Sequence, residues 1–360
     1  MNKKTVVIGM SGGVDSSAAA YILKEQGYNV IGVTMQIWQD ENSCTLEREG
    51  GCCGVSAVED ARRVAEVLDI PYYVMNFKEE FRKYVINYFI DEYLHGRTPN
   101  PCIACNRYVK WEALLQRSMA IGADYIATGH YAKIARLQNG RFAIRNSVTA
   151  EKDQTYALYG LTQEQLSHTL LPIGEYTKPE VRAIAMKAGL PVAGKHDSQE
   201  ICFVPDGDYA SFIEKNTDKK MPEGNFVTKD GEILSRHKGL IHYTIGQRRG
   251  LNLPMGRRVF VTELRTDTNE VVVGEHEDVF TKELCADHIT FMGIPEMKIG
   301  ESAEFLTKIR YNHRGEQCLV TRAGEDEIHC EFRKDVRAVT PGQAVVFYRD
   351  DYVAGGGIIK

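Results

Sequence analysis

No apolar run in this 360-residue chain approaches the ~20 residues of a membrane span, which excludes a bilayer-crossing helix. A signal-peptide apolar region is missing too, because a Gly- and Ser-rich motif follows the opening strand at once. The expected location is therefore the cytoplasm. Positive charge is not in excess: 44 Lys and Arg face 49 Asp and Glu, for a formal net charge of −5. Any nucleic-acid surface must then be a local patch. Internal repeats and low-complexity tails are also lacking. What is present is 43% hydrophobic and 26% charged residues, ordinary for a globular protein, over a length that suits two or three domains. Nine cysteines in a reducing compartment argue for thiol or metal chemistry, not for a disulfide framework.

The apolar run Thr5-Val6-Val7-Ile8-Gly9-Met10 leads into Ser11-Gly12-Gly13-Val14-Asp15-Ser16-Ser17, then into amphipathic Ala18-Ala19-Ala20-Tyr21-Ile22-Leu23. The pattern predicts a strand, a tight turn and a helix. Gly12 and Gly13 open turn conformations closed to residues with a Cβ. Amides of the turn and helix start converge into an anion cradle, with Ser11, Ser16 and Ser17 as hydroxyl donors. A Walker A loop is excluded by the shorter spacing and the missing Lys. SGGVDSS resembles instead the PP-loop of the ATP pyrophosphatases, which hold the pyrophosphate of ATP and make adenylated intermediates. That resemblance implies that Asp15 helps hold magnesium.

Residues 29–35 read as a second strand, buried on both faces, ending at Met35. There Met35 is either an adenine neighbour or plain core. Residues 36–54 read as a polar loop whose Cys44, Cys52 and Cys53 lack zinc-site spacing and are expected to be structural. Ser56 and Glu59 form a capping box for a helix running to about Leu68. A third strand over 71–76 and a long helix over 78–95 follow, the latter with Phe81, Tyr84, Val85, Tyr88 and Phe89 inward. Strands alternating with helices predict an α/β fold with a doubly wound parallel sheet.

The stretch GRTPNPCIACN, residues 96–106, reads as a stiff exposed loop with Cys105 just ahead of a helix, where a thiolate is stabilised. A strand over 124–131 ends at Gly129, which permits close approach of a ligand backbone or phosphate, with His130 beside it. Asn139-Gly140 marks a hairpin, and Thr177-Lys178-Pro179-Glu180 caps a helix. Residues 195–203, KHDSQEICF, place a second isolated thiol, Cys202, in a charged loop.

A PP-loop chain with one thiol in each of two loops resembles the tRNA 2-thiouridylases of the MnmA/TrmU family. The likeness rests on GMSGGVDSS, GRTPNPCIACN, TGHYA, EKDQTYAL, SQEICFVP and IHYTIGQRRGL and spans essentially the whole chain. It implies ATP at Gly9, Met10, Ser11, Gly12, Gly13, Val14, Asp15 and Ser16, with Met35 and Gly129 near the nucleotide. The implied substrate is the wobble uridine of tRNA, flipped out of the anticodon and adenylated on its oxygen at carbon 2. Cys202 would carry a persulfide received from a sulfur-relay protein or a cysteine desulfurase. Cys105 would be the nucleophile that resolves it, ending in a disulfide with Cys202. Asn100, Pro101 and Cys102 match the segment lining the target base. His130, Lys152, Asp153, Gln154, Arg310, Tyr311 and Gln343 match tRNA contacts.

The chain departs from a common family pattern at Cys102, where many members carry Asp. A thiol is a weaker hydrogen-bond partner, so an acid/base role does not transfer to it. The departure raises a second reading, in which Cys102, Cys105 and Cys202 ligate an iron–sulfur cluster that delivers sulfide. The rivals are another adenylating PP-loop enzyme, of the tRNA lysidine synthetase or amidotransferase type, and a non-catalytic RNA-binding module. Neither needs the two thiols.

Three domains are expected: a PP-loop domain over 1–206, a central tRNA-contacting domain over 207–280 and a C-terminal β-barrel over 281–360. The central part concentrates Arg248, Arg249, Arg257 and Arg258 into a basic patch suited to phosphates. In the barrel, Lys308, Arg310, Tyr311, His313 and Arg314 suit RNA. Cys285, Cys318 and Cys330 are expected to fill the barrel, and Gly355-Gly356-Gly357 to be a short flexible element.

Overall fold

Strand Thr5–Gly9 is the centre of a five-stranded parallel sheet, because its middle residues Val6, Val7 and Ile8 are fully buried. Asn29–Gln36 and then Tyr72–Asn76 pair on one side of it, and Tyr125–Ala127 and then Thr169–Leu170 on the other. The strand order therefore reverses direction at Thr5–Gly9. In open α/β sheets the crevice beyond the carboxyl ends at such a switch point is where ligands bind. Helix Val14–Glu25 leaves that end and buries Ala18, Ala19 and Ala20, small side chains that let it lie close to its neighbours. This computed structural model describes residues 3–37, 55–196 and 201–360. Cys44, Cys52 and Cys53 lie outside the described residues, as do Asp197, Ser198, Gln199 and Glu200.

The chain divides into two units. The first comprises Met1–Ile86, Cys102–Gly207 and Asp350–Val353, and the second Asn87–Pro101, Asp208–Arg349 and Ala354–Lys360. This differs from a division by sequence, for a physical reason. Helix Asn87–Leu94 stacks Tyr93 on Tyr209 at 5.2 Å and sets Phe89 edge-on to Phe212 at 6.5 Å, so it packs with the second unit.

The second unit holds a four-stranded sheet of Phe260–Arg265, Glu270–Gly274, Gly224–Val227 and Ile233–His237. Its core is Phe226, Tyr243, Leu251, Val259, Val261, Val271 and Val273. It also holds six strands, Phe280–Phe291 through Tyr352–Ile359, that close into a barrel when the last pairs with the first. Gly355 and Gly357 belong to that closing strand, so they are not a flexible element. A Cβ on Gly355 would sit 2.3 Å from the Thr290 carbonyl oxygen and 2.7 Å from the Phe347 ring. Only glycine lets the backbones meet there. Cys318 and Cys330 are buried in the barrel as expected, whereas Cys285 is exposed and fills nothing. Contact with the Cys318 thiol and then burial push the Cys330 thiol well above its ordinary pKa, so it stays protonated.

Candidate active site

The turn after Thr5–Gly9 is built by its own backbone. Met10 donates to the Val33 carbonyl at 2.8 Å, and Thr34 Oγ1 donates to the Met10 carbonyl at 2.8 Å. These bonds put Met35, half-buried, on the strand alongside the loop. Gly12 has φ +66°, and a Cβ on it would lie 2.4 Å from the Ala57 carbonyl oxygen. Helix Val14–Glu25 begins at Gly13, which has no side chain to cap its first amides. Met10 and Val14 bury their side chains, so they can offer a ligand only backbone. Ser16 Oγ accepts from the Ser11 amide at 3.2 Å and holds the turn closed. Ser17 is buried and donates to the Gly13 carbonyl at 2.7 Å, which makes it a structural hydroxyl, not the ligand donor expected of it.

Three side chains that the motif did not announce surround this cradle. Lys178 Nζ sits 2.7 Å and 2.9 Å from the two carboxylate oxygens of Asp15, and Tyr131 Oη donates to Oδ1 at 2.8 Å. Lys195 Nζ reaches the Gly12 carbonyl at 3.3 Å and Asp60 at 2.8 Å. Lys178 opens helix Lys178–Lys187, whose Thr177–Glu180 capping box and early proline are present as read from the sequence. The capping signal was legible, but the lysine's destination, 163 residues back in the chain, was not.

Gly129 stands where strand Tyr125–Ala127 runs out against the same loop. A Cβ there would lie 2.6 Å from the Ser16 nitrogen and 2.8 Å from the Asp15 carbonyl carbon. Its missing side chain thus admits the loop itself. Gln154 locks this corner: its amide donates to the Tyr131 carbonyl at 3.0 Å and its Oε1 accepts from the Tyr131 amide at 2.9 Å. Asp153 is likewise engaged internally, accepting from the Ser147 amide at 2.9 Å, and Lys152 is half-buried beside it.

From Gly129 a polar chain runs toward Cys105. Thr128 and His130 Nδ1 are 2.7 Å apart, His130 Nε2 and Lys110 Nζ 3.5 Å, Lys110 donates to Asn106 at 2.8 Å, and Asn106 donates to the Ala157 carbonyl at 2.9 Å. Burial, and secondarily the Lys110 charge, hold the His130 pKa well below the ordinary imidazole value. The ring is therefore neutral. Lys110 can only donate, so Nε2 accepts and Nδ1 carries the proton toward Thr128.

Helix begins at Pro101, four residues before Cys105, and continues through Cys105–Leu114 with wider π-type turns. This corrects the expectation that Cys105 precedes the helix. Cys102, exposed in the first turn, is the thiol nearest the helix start, where the dipole acts most strongly. Cys105 is half-buried one turn on. Cys202 is exposed beside Phe203, whose buried ring packs edge-on to Phe81 at 5.7 Å and anchors the turn. Among the described residues no three His, Cys, Asp or Glu side chains are grouped as a metal site requires. Cys102, Cys105 and Cys202 therefore do not fit an iron–sulfur centre as arranged here. A magnesium ion bound with ATP needs only one or two protein carboxylates beside the phosphates. Asp15, in the first turn of helix Val14–Glu25, fits that demand.

Asn100 and Pro101 lie in the second unit, as do Arg310, Tyr311 and Gln343. Tyr311 is 40% exposed, Arg310 donates to the Arg337 carbonyl at 2.7 Å, and Gln343 donates to the Thr98 carbonyl at 2.7 Å. In the central sheet region, an open pocket of about 500 Å³ is lined by Arg248, Arg257 and Arg258 with Leu251, Leu253 and Pro254.

A parallel sheet whose switch point carries a glycine-built anion cradle, ringed by lysines, defines a PP-loop nucleotide-binding protein. Family models agree along the chain: tRNA methyl transferase HUP domain over residues 4–206, tRNA methyl transferase PRC-barrel domain over 210–275, and aminomethyltransferase beta-barrel domain over 281–359. The chain is 65% identical to the tRNA-specific 2-thiouridylase MnmA of Lachnoclostridium phytofermentans, covering 99% of both proteins. It is 56% identical to that of Clostridium perfringens, over 100% of this chain and 99% of the relative. Among solved structures, a 4-thiouridine synthetase–RNA complex with bound ATP is 16% identical with a TM-score of 0.36, covering 59% of this chain and 50% of that one. This chain belongs to the tRNA-specific 2-thiouridylase family.

Proposed function

We propose that this protein replaces the oxygen at carbon 2 of a tRNA wobble uridine by sulfur, at the expense of ATP. Full-length identity of 65% to a tRNA-specific 2-thiouridylase is the observation that carries this reading. The residues account for each requirement of the chemistry. A urea-like carbonyl oxygen is a poor leaving group, so it must first be activated. The uncapped amides of Val14, Asp15 and Ser16, together with Lys178 and Lys195, offer binding to the phosphates of ATP. Asp15 would hold magnesium, which supplies charge neutralisation along the polyphosphate, while Lys178 turns from Asp15 to a phosphate oxygen. The base oxygen forms a bond to the α-phosphorus and pyrophosphate departs.

Sulfur delivery is assigned to the thiols. The terminal sulfur of a Cys202 persulfide bonds to carbon 2, and AMP leaves with the former base oxygen. The Cys105 thiolate then attacks the Cys202 sulfur, which releases the thiocarbonyl and leaves a Cys105–Cys202 disulfide for an external thiol to reduce. Cys202 is exposed, as a residue loaded by a relay protein or a cysteine desulfurase must be. The neutral His130, Lys152, Asp153, Gln154, Arg310 and Tyr311 are proposed to meet the tRNA. The arginine-lined pocket is proposed to take its backbone phosphates, in a cytoplasmic setting.

Nucleoside mass spectrometry tests this. Unmodified tRNA is incubated anaerobically with the protein, ATP, magnesium and a persulfide donor. 2-Thiouridine is expected with the wild type and not with Cys202→Ser, while pyrophosphate release continues. Thiolation that survives Cys202→Ser with sulfide as donor would transfer the sulfur role to a metal cluster. Pyrophosphate release without any thiolated base would place the chain among the amine-admitting PP-loop enzymes.

A further inference from the structure

The segment that precedes Cys102 is held by residues from the far end of the chain. Thr98 presents both its backbone groups to one turn: its amide donates to the Pro341 carbonyl at 2.8 Å, and its carbonyl accepts from Gln343 Nε2 at 2.7 Å. The turn is itself fixed to the last strand, since Gly342 donates to the Ile359 carbonyl at 2.9 Å and Ile359 donates back to the Gln343 carbonyl at 2.8 Å. Gly342 has φ +88°, and a Cβ on it would lie 3.0 Å from Arg97 Cβ and 3.0 Å from the Thr98 nitrogen. Glycine is needed there both for the backbone angle and for the approach. Beneath the contact the buried carboxylate of Glu92 pairs with Arg97. On the other side Gly96, with φ +68°, comes so close to Thr266 that a Cβ would lie 2.9 Å from its Cγ2.

We propose that residues 341–343 form a clamp that sets the conformation of the target-base segment, and that Gln343 is a positioning residue acting through the Thr98 carbonyl. This rests on the reading of Asn100 and Pro101 as that segment. Restraint at Thr98 is passed on because Pro99 and Pro101, both buried, fix φ on either side of Asn100. A segment with one proline-locked path from Thr98 to Asn100 holds its shape before RNA arrives. Preorganisation of this kind raises turnover by avoiding a conformational search at the moment of reaction. A side chain that only touched RNA would instead change affinity.

Hydrogen exchange on the full-length protein without tRNA separates the two. Gln343→Met keeps the bulk and removes the donor, leaving the Thr98 carbonyl unsatisfied. Amides of Gly96, Arg97, Thr98 and Asn100 are expected to exchange about tenfold faster, the scale of one lost hydrogen bond. At saturating tRNA and ATP, kcat for thiolation is expected to fall about tenfold with tRNA Kd within about twofold. Gly342→Ala, which strains the turn without touching the glutamine, should give the same pair of changes. Exchange in strand Thr5–Gly9 serves as the control for global unfolding and should stay unchanged in both variants. Unchanged exchange over 96–101, with a weaker tRNA Kd and unaltered kcat, would overturn the clamp and leave Gln343 as an RNA contact. Because the exchange readout needs neither tRNA nor catalysis, failure of the thiolation reading would leave it interpretable.

Discussion

Gly129 in the first unit and Gly355 in the second solve the same steric problem to different ends. Each lacks a Cβ because backbone stands in its place, the Ser16 nitrogen at 2.6 Å in one case and the Thr290 carbonyl oxygen at 2.3 Å in the other. At Gly129 the close approach seats one loop on another and shapes an anion cradle. At Gly355 it closes a barrel strand against its neighbour. Identical local physics borders the proposed nucleotide site in one unit and is architectural in the other, and only the surrounding residues decide which. Around Gly129 stand Asp15, Lys178 and Tyr131; around Gly355 stand strand backbone and the Phe347 ring.

Substitution should pull the two apart. Gly129→Ala pushes directly on Ser16 and is expected to weaken ATP binding by about 100-fold or more, since overpacking against backbone costs up to ~3 kcal/mol. Gly355→Ala is expected to lower stability by ~2 kcal/mol in denaturant unfolding while leaving ATP affinity unchanged. Titration calorimetry with ATP on both variants checks the contrast. Equal loss of ATP affinity would show that the two glycines are not separable.

The next effect in size concerns Lys178. Its ammonium bonds both oxygens of a partly exposed Asp15, so Lys178→Met removes a cation from the proposed phosphate site and leaves Asp15 without it. Loss of a charge-assisted bond corresponds to about 10- to 100-fold weaker ATP binding. Calorimetry should show this with tRNA affinity preserved. Smaller still is the contribution of Arg248 in the pocket of the second unit. Arg248→Ala should reduce the slope of log tRNA affinity against log salt by about one, as one phosphate contact does. A filter-binding salt series measures it, and an unchanged slope would remove that arginine from the RNA surface.

The smallest expected effect is in pH dependence. The His130 pKa lies below its unfolded value because burial and then Lys110 oppose its charge. The unfolded chain thus binds the proton first. The contribution is complete above the ordinary imidazole range and is lost as pH falls through the folded pKa. Lys110→Met removes only the lesser cause, so the His130 pKa should rise part of the way. An NMR titration of the imidazole follows it, and a downward move would refute the assignment of cause.

Local signals in the sequence were reliable where the physics is local. The SGGVDSS turn, the apolar strand before it, the Asn139-Gly140 hairpin and the Thr177–Glu180 capping box all formed as read. The helix start near Cys105 was misplaced because two prolines look like loop, although a proline at Pro101 also suits the first turn of a helix. Gly355-Gly356-Gly357 was misread because a run of glycine signals flexibility until the partner backbone is known. Lys178, Lys195 and Tyr131 escaped notice for the same reason: each meets the PP-loop only through the fold. No pattern within a few residues could announce them.

In the proposed reaction the base oxygen is activated at the PP-loop before any sulfur arrives. The most direct measurement uses tRNA whose target uridine carries a heavy oxygen isotope at carbon 2, incubated with the protein, ATP, magnesium and a persulfide donor. Mass spectrometry of the AMP formed should show one heavy oxygen per thiolated base. AMP with only ordinary oxygen, formed alongside 2-thiouridine, would contradict adenylation of the base and with it the role assigned to the cradle.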